Sequence, residues 1–390
     1  MYVCIRHLFA AALTAAIAGC AGGIGLQAPT AGNKPSLPSL TRMGAHGIVP
    51  DEDAARAVGA DRPAHSEFQA FKFAPTRRRA GASPSYLLTS EFYTGNLYEY
   101  QESSGLDQVG EVDGAGGWGV AVARPSSKIR DGGVACVGDD YGAVQCFKVD
   151  PASGALKRIS FLRLSQRTSG ARAYGIAFDW SGNLYVSDFI KYVGSSTVDE
   201  YSASRVARCS NGCNPSRSLT LINFGQVYFL ASDGRSIYAN GYDATLKSVI
   251  VCKIALATGN CSGGPVFAFG AQAFFPGGMS FDGRHDIVIN NQMAGTLIQF
   301  DAPFSPNEPV SSLFKYQSSQ TPDYTAIALD RSQKNVWGAN YWTCGSVTCT
   351  NAQSNTYPLG GYGALGATQT VQFVAGAWFL GVALSPAPRT

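Results

Sequence analysis

The chain is poor in charge: of its 390 residues only 15% are Asp, Glu, Lys or Arg, and the formal net charge is +3. So small an excess, little clustered in the part that folds, excludes the electrostatic footprint of a nucleic-acid binder. Histidine is scarcer still. Of four residues, His7, His46 and His65 precede the expected domain and His285 falls in an Asp-Gly-Arg-His-Asp turn. A Ser-His-Asp triad, or a channel histidine acting as general base, therefore has no candidate. The apolar run from Leu8 to Ile17 is too short to span a bilayer; following Arg6, it reads as the apolar segment of a secretory signal.

Glycine (45 residues) and aromatic side chains (11%) are plentiful, as all-β chains with many turns require. The segment AYGIAFDWSGNLYVSDFIKYVGSSTVDEYS, from Ala173 to Ser202, reads as strand, tight turn, strand, longer turn, strand. Its first strand recurs as WGVAVA (from Trp118), YFLASD (Tyr228), GGMSFD (Gly277), TAIALD (Thr325) and LGVALS (Leu380). Taking Val120, Ile176, Leu230, Met279, Ile327 and Val382 as equivalent, the steps are 56, 54, 49, 48 and 55 residues, one four-stranded blade each. SYLLTS and NLYEYQ, from Ser85 to Gln101, supply second and third strands without a first, and the final LGVALS is a first strand with nothing after it. The expectation is an all-β, six-bladed β-propeller whose C-terminal strand closes the first blade.

Three segments follow: a signal over 1–20, a Gly/Ala/Pro/Ser-rich tether over 21–82 and the propeller over 83–390. As a flexible coil the tether would reach about 45 Å. Its Arg77–Arg79 run reads as a solvated stretch, with contact to anionic lipid as the sharper alternative. Beyond Cys4 and Cys20, eight cysteines fall in close neighbours: Cys136 with Cys146, Cys209 with Cys213, Cys252 with Cys261, and Cys344 with Cys349. Disulfides suit an exported chain. Zinc is the competing use, but no pair has a second pair or a histidine near it in sequence.

Ile-Ala-Gly-Cys at 17–20 resembles the lipobox of bacterial lipoproteins. The resemblance implies cleavage before Cys20, lipid on that cysteine and, with Ala21 following, an outer-membrane destination; an ordinary secretory cut nearby is the alternative. GIAFDWSGNLYVSD, Gly175 to Asp188, resembles the NHL-type propeller repeat and, more loosely, the gluconolactonase-type calcium-dependent propeller hydrolases. In those hydrolases the residue before the first-strand glycine supplies an oxygen ligand to the metal. The matching positions here are Trp118, Tyr174, Tyr228, Gly277, Thr325 and Leu380, none a carboxylate or amide. Hard cations need such oxygens, so the resemblance does not carry over a metal site. Asp323 is the one acid close to these positions.

What remains is an aromatic face. Trp118, Tyr174, Tyr228 and Tyr324 with Asp323 enter the first strands, while Asp188, Asn291 and Asn340 close second strands on the same side. Aromatics beside Asp and Asn suit sugar hydroxyls or interface anchors; equally, they can plug the axis, and the acids and amides can bond the turns that follow them. The reading is a monomeric, lipid-anchored envelope propeller that binds a protein or glycan, with membrane contact through Cys20, no cofactor and no nucleic acid. The alternative is a diverged lactonase-like or other propeller hydrolase acting at the channel mouth.

Overall fold

A computed structural model describes residues 41–44, 47–50 and 71–72, and residues 84–385 except 92–94, 103–106, 125–132, 140, 167–170, 191–196, 222–223, 244–245, 247, 263–265, 269–275, 283–286, 292–295, 306–311, 317–323, 330–334, 341–350, 359–362, 366–368 and 376–378. Nearly all of it is β, arranged as a propeller, with one short helix, Ala203–Arg208, among the described residues.

Four sheets have four strands each. In chain order their strands are Val120–Ala123, Val134–Gly138, Ala143–Val149 and Leu156–Arg163 (sheet 2); Ala171–Phe178, Leu184–Ile190, Thr197–Tyr201 and Arg217–Thr220 (sheet 3); Phe224–Ser232, Ile237–Asp243, Ser248–Lys253 and Phe267–Ala268 (sheet 4); and Tyr324–Leu329, Asn335–Asn340, Asn351–Pro358 and Gln369–Ala375 (sheet 6). Sheet 5 runs Pro276–Phe281, Ile287–Asn291, Thr296–Phe300 and Ser312–Tyr316, with Gly363–Leu365 added in parallel. In sheet 1 the strand Phe379–Ser385 lies antiparallel to Tyr86–Glu91, from Phe379 opposite Glu91 to Ser385 opposite Tyr86, and Leu97–Gln101, Asp107–Val112 and Phe71–Lys72 follow.

Most of these strands are covered on both faces, so they read as apolar runs rather than alternating ones. Val134–Gly138 is buried at every position. Leu88, Val112, Val137 and Phe147 fill the space between sheets 1 and 2; Val144, Leu162, Val186 and Tyr201 that between sheets 2 and 3; Tyr185, Leu219, Leu230 and Ile250 that between sheets 3 and 4. A further cluster takes in Phe267, Phe281, Ile289, Phe300, Trp337 and Val382 across sheets 4, 5, 6 and 1.

The first strands of sheets 1, 3, 4, 5 and 6 are each interrupted by a register shift, as between Ala173 and Ile176, Val227 and Leu230, and Phe379 and Gly381. A bulge strands backbone polar groups, which must find partners when buried. Here the second strand provides them. Ser187 Oγ accepts the Gly175 N–H at 2.6 Å and donates to the Tyr228 carbonyl of the next sheet at 3.0 Å. Asn240 accepts the Phe229 N–H and donates to the Gly277 carbonyl, both at 2.8 Å, and Ser90 donates to the Trp118 carbonyl. These clasps tie sheet 3 to 4, 4 to 5 and 1 to 2.

The repeated first-strand glycine follows from the same crowding. A Cβ on Gly175 would stand 2.6 Å from the Tyr228 carbonyl oxygen, and one on Gly119 would stand 2.2 Å from that of Tyr174. No side chain fits where successive first strands converge.

Three disulfides join Cys136 to Cys146, Cys209 to Cys213 and Cys252 to Cys261. The first links directly opposed residues of adjacent strands. The second closes a loop laid along the outer strand of sheet 2, where the Phe161 N–H donates to the Cys209 carbonyl and the Arg163 N–H to that of Cys213. An outer strand otherwise presents unpaired backbone groups, and this loop covers part of that edge. Cys344 and Cys349 lie outside the described residues.

Candidate functional site

The aromatic residues at the starts of the first strands meet one another. The Trp118 and Tyr174 ring centroids are 4.8 Å apart, those of Tyr174 and Phe229 5.0 Å, and those of Tyr174 and Tyr228 6.3 Å. Trp118, Tyr174 and Tyr228 are 1%, 6% and 5% exposed, so their rings are packed together and shielded from solvent. Tyr228 donates its hydroxyl to Gln226 Oε1 at 2.9 Å. Arg172, itself buried, sets its guanidinium 5.1 Å from the Trp118 ring centre, a cation–π arrangement. Burial pushes the Tyr174 phenol above its ordinary range, with the Arg172 charge opposing the shift, and burial then the neighbouring Tyr174 raise Tyr228. Both are neutral phenols at physiological pH.

Asp188, 1% exposed, lies two residues before the end of the second strand of sheet 3 and pairs with Ala173, the residue preceding Tyr174. Because Asp188 pairs with Thr197 and Val186 pairs with Asp199, the two carboxyls are diagonal neighbours on one face. The loop leaving sheet 2 crosses them: the Gln166 N–H donates to Asp188 Oδ2 at 3.1 Å and the Ser165 N–H to Asp199 Oδ2 at 2.6 Å. Ser218 donates its hydroxyl to Asp199 Oδ1 at 2.6 Å. Asp188 Oδ1 is buried with no hydrogen-bond partner among the described residues. Burial, then repulsion from Asp199, push Asp188 up to about 7, against the Gln166 N–H, which lowers it. Asp199 is also raised by burial and held back by Ser218 and Ser165. The pair thus holds a carboxyl that gains and loses its proton near neutrality, the property a general acid or base needs.

The second-strand acids divide by task. Asp139 accepts the N–H groups of Tyr141 and Ala143, forming the turn that follows it. On the opposite end of the sheets, Asp179 accepts the Asn183 N–H and Asp233 those of Arg235 and Ser236, again as turn formers. Asp188 instead reaches another sheet's loop. At that opposite end the first strands leave a cavity of about 160 Å³ lined by Val122, Ile176, Trp180, Leu230, Ser232 and Met279.

Of the other expected site residues, Tyr324 opens the first strand of sheet 6 directly opposite Asn340, and Asn291 pairs with both Pro276 and Thr296. Asp323, His285 and Cys20 lie outside the described residues. Reading the sequence passed over Arg172, Asp199 and Ser187. Their signal was a polar residue inside a strand whose neighbours are buried. Glu99 shares it: fully buried on the third strand of sheet 1, its two oxygens have no hydrogen-bond partner among the described residues, and burial, with Asp150 adding, raises it well above the ordinary range.

No family model matches the chain, and no curated protein matches it by sequence. Solved structures do resemble it in shape. A protein of unknown function from Bacteroides caccae is 11% identical, with a TM-score of 0.51 over 77% of this chain and 99% of that one. The periplasmic gluconolactonase of Pseudomonas aeruginosa is 12% identical, with a TM-score of 0.49 over 78% and 100%. A regucalcin from Agrobacterium tumefaciens, a calcium-binding protein, is 13% identical, with a TM-score of 0.40 over 66% and 82%. At 11% identity the likeness to the Bacteroides caccae protein is one of fold alone and leaves activity open.

A calcium site of the kind expected in gluconolactonase-type hydrolases does not fit the residues at its matching positions. Three of them are the packed rings of Trp118, Tyr174 and Tyr228. The raised phenols supply no anionic oxygen, and a hard cation needs several.

Proposed function

We propose that this chain is an exported, lipid-anchored propeller that binds a protein or glycan partner on the face carrying Asp188, Asn291, Asp323, Tyr324 and Asn340, with Trp118, Tyr174 and Tyr228 as its floor. The observation that carries this reading is the replacement of the metal-ligand positions by an aromatic stack that closes the axis at that mouth. Lipid on Cys20 is the proposed anchor, and the tether over 21–82 sets the distance from the membrane.

The proposed ring has six blades, sheets 1 and 5 being the fifth and sixth beside the four-stranded ones, and Phe379–Ser385 closing blade one. Support comes from the pairing of that strand with Tyr86–Glu91, from contacts that join each first strand to the next and the last back to Val120–Ala123, and from Trp337 of sheet 6 donating its indole N–H to Glu102 beside sheet 1 at 3.1 Å.

The test is capture from cross-linked envelopes with the full chain and with Cys20→Ala. The reading expects one partner retained by wild type and lost on Tyr324→Ala, and loss of membrane association on Cys20→Ala; unchanged capture by Tyr324→Ala and Asp188→Asn would overturn it.

One observation favours a second reading, a diverged propeller hydrolase: the Asp188 carboxyl raised to about 7 beside Asp199. In that reading Asp188 is the general base for water attacking a lactone carbonyl. Hydrolysis of glucono-1,5-lactone that rises with pH through about 7 and is abolished by Asp188→Asn would establish it. Turnover equal to the uncatalysed rate would remove it.

A further inference from the structure

Sheet 2 carries a groove well away from the axis. Its outer strand, Leu156–Arg163, has a register shift between Arg158 and Ser160, so that Arg158, Phe161 and Arg163 stand opposite Phe147, Gln145 and Ala143. Those three partners alternate along their strand and share one face. Five positions apart, Arg158 and Arg163 would face opposite ways on a regular strand; the bulge brings both, with Phe161 between them, to one side.

The loop Ser210–Gly212 forms the facing wall. It is held by the Cys209–Cys213 disulfide at one end of its span and the other, and by the backbone bonds of both cysteines to the strand. Arg163 lies over Gly212, where a Cβ would stand 2.5 Å from Nε, and the positive φ of 86° suits glycine there. Tyr141, 64% exposed, also borders the groove. The groove encloses about 450 Å³ and is lined by Tyr141, Arg158, Phe161, Arg163, Ser210 and Asn211, with backbone of Gly142 and Ala143; no acidic side chain lines it among the described residues.

We propose that this groove is a binding site for an acidic oligosaccharide, a chain of sugar rings bearing carboxylates. Two guanidiniums on one face match carboxylates through paired N–H donors. The exposed ring of Tyr141 offers a platform for the apolar face of a sugar, and Ser210 and Asn211 supply hydroxyl and amide partners. The volume lies within the range of small-ligand sites. The disulfide-closed loop holds its wall in place before binding, which lowers the ordering cost. The site is independent of the axial face and of the reading built on it.

The test is calorimetric titration of the full chain, at low and at moderate salt, with a galacturonate trisaccharide, a galactose trisaccharide and inorganic phosphate. The proposal expects saturable binding of the galacturonate trisaccharide that weakens with salt, and at least tenfold weaker binding of the other two. Arg158→Gln with Arg163→Gln, and separately Tyr141→Ala, should each weaken it by tenfold or more while thermal unfolding stays as in wild type. Because all three side chains are exposed, folding is expected to survive, and unfolding temperature checks it. Equal affinity for the neutral trisaccharide, phosphate binding as tight as the acid trisaccharide, or wild-type affinity in the double arginine variant would each overturn the proposal. Retained binding after Asp188→Asn would show that the axial face is not involved.

Discussion

Replacing Asp188 with Asn should stabilise the protein, and only above a defined pH. In the unfolded chain the carboxyl ionises at its ordinary value of 3.8, whereas in the folded protein burial and Asp199 hold it up to about 7. Between those values the folded state binds the extra proton, so stability falls as pH rises through that window, and the full penalty stands above the folded value. At 1.36 kcal/mol per unit, and allowing for water reaching the site, the penalty is about 2–4 kcal/mol. Asn carries no charge at any pH, keeps an oxygen for the Gln166 N–H, and puts an amide where Oδ1 has no described partner. Asp188→Asn should match wild type near pH 4 and exceed it by about 2–4 kcal/mol at pH 8.5, read from chemical denaturation with disulfides intact. Glu99 is shifted in the same direction, but its slope is common to both proteins and cancels in the difference. A difference between variant and wild type that does not change with pH would refute the reasoning.

Three further outcomes follow from the packing. Ser187→Ala removes the hydroxyl shared by the Gly175 N–H and the Tyr228 carbonyl, and should cost about 1–3 kcal/mol, because buried backbone groups lose their partner. Gly175→Ala forces a Cβ to within 2.6 Å of the Tyr228 oxygen, so a loss of about 1–3 kcal/mol or more is expected by thermal unfolding; a neutral effect would mean that the first strands can spread. Cys136→Ser with Cys146→Ser opens a link spanning 10 residues, and denaturation should show a loss of about 2–3 kcal/mol.

The repeat was readable because the physics that makes it leaves marks on the sequence. Strands covered on both faces stay apolar, as in Val134–Gly138, and first strands packed so closely that an added Cβ would meet the neighbouring backbone keep glycine at positions such as Gly119 and Gly175. The turn tasks of Asp139, Asp179 and Asp233 were readable for a similar reason, since each bonds backbone only two to four residues away. Long-range partners were not. Asp188 was grouped with turn residues, yet its bond runs to Gln166 of another sheet's loop, and its pairing with Asp199 depends on strand register. The side chain that ties sheets 3 and 4 is Ser187, one position earlier. Bulges decide such matters: one extra residue changes which side chains share a face, and the sequence of Leu156–Arg163 does not mark the shift that unites Arg158 with Arg163.

The proposal that packed rings rather than a calcium ion occupy the mouth of the axis rests on Trp118, Tyr174 and Tyr228. Thermal unfolding of the full chain, with calcium and then with excess chelator, alongside lactone hydrolysis under both conditions, tests it most directly. The same unfolding temperature is expected with calcium and with chelator, with no calcium-dependent turnover. A saturable rise in unfolding temperature on adding calcium, reversed by chelator and accompanied by lactone hydrolysis, would contradict it.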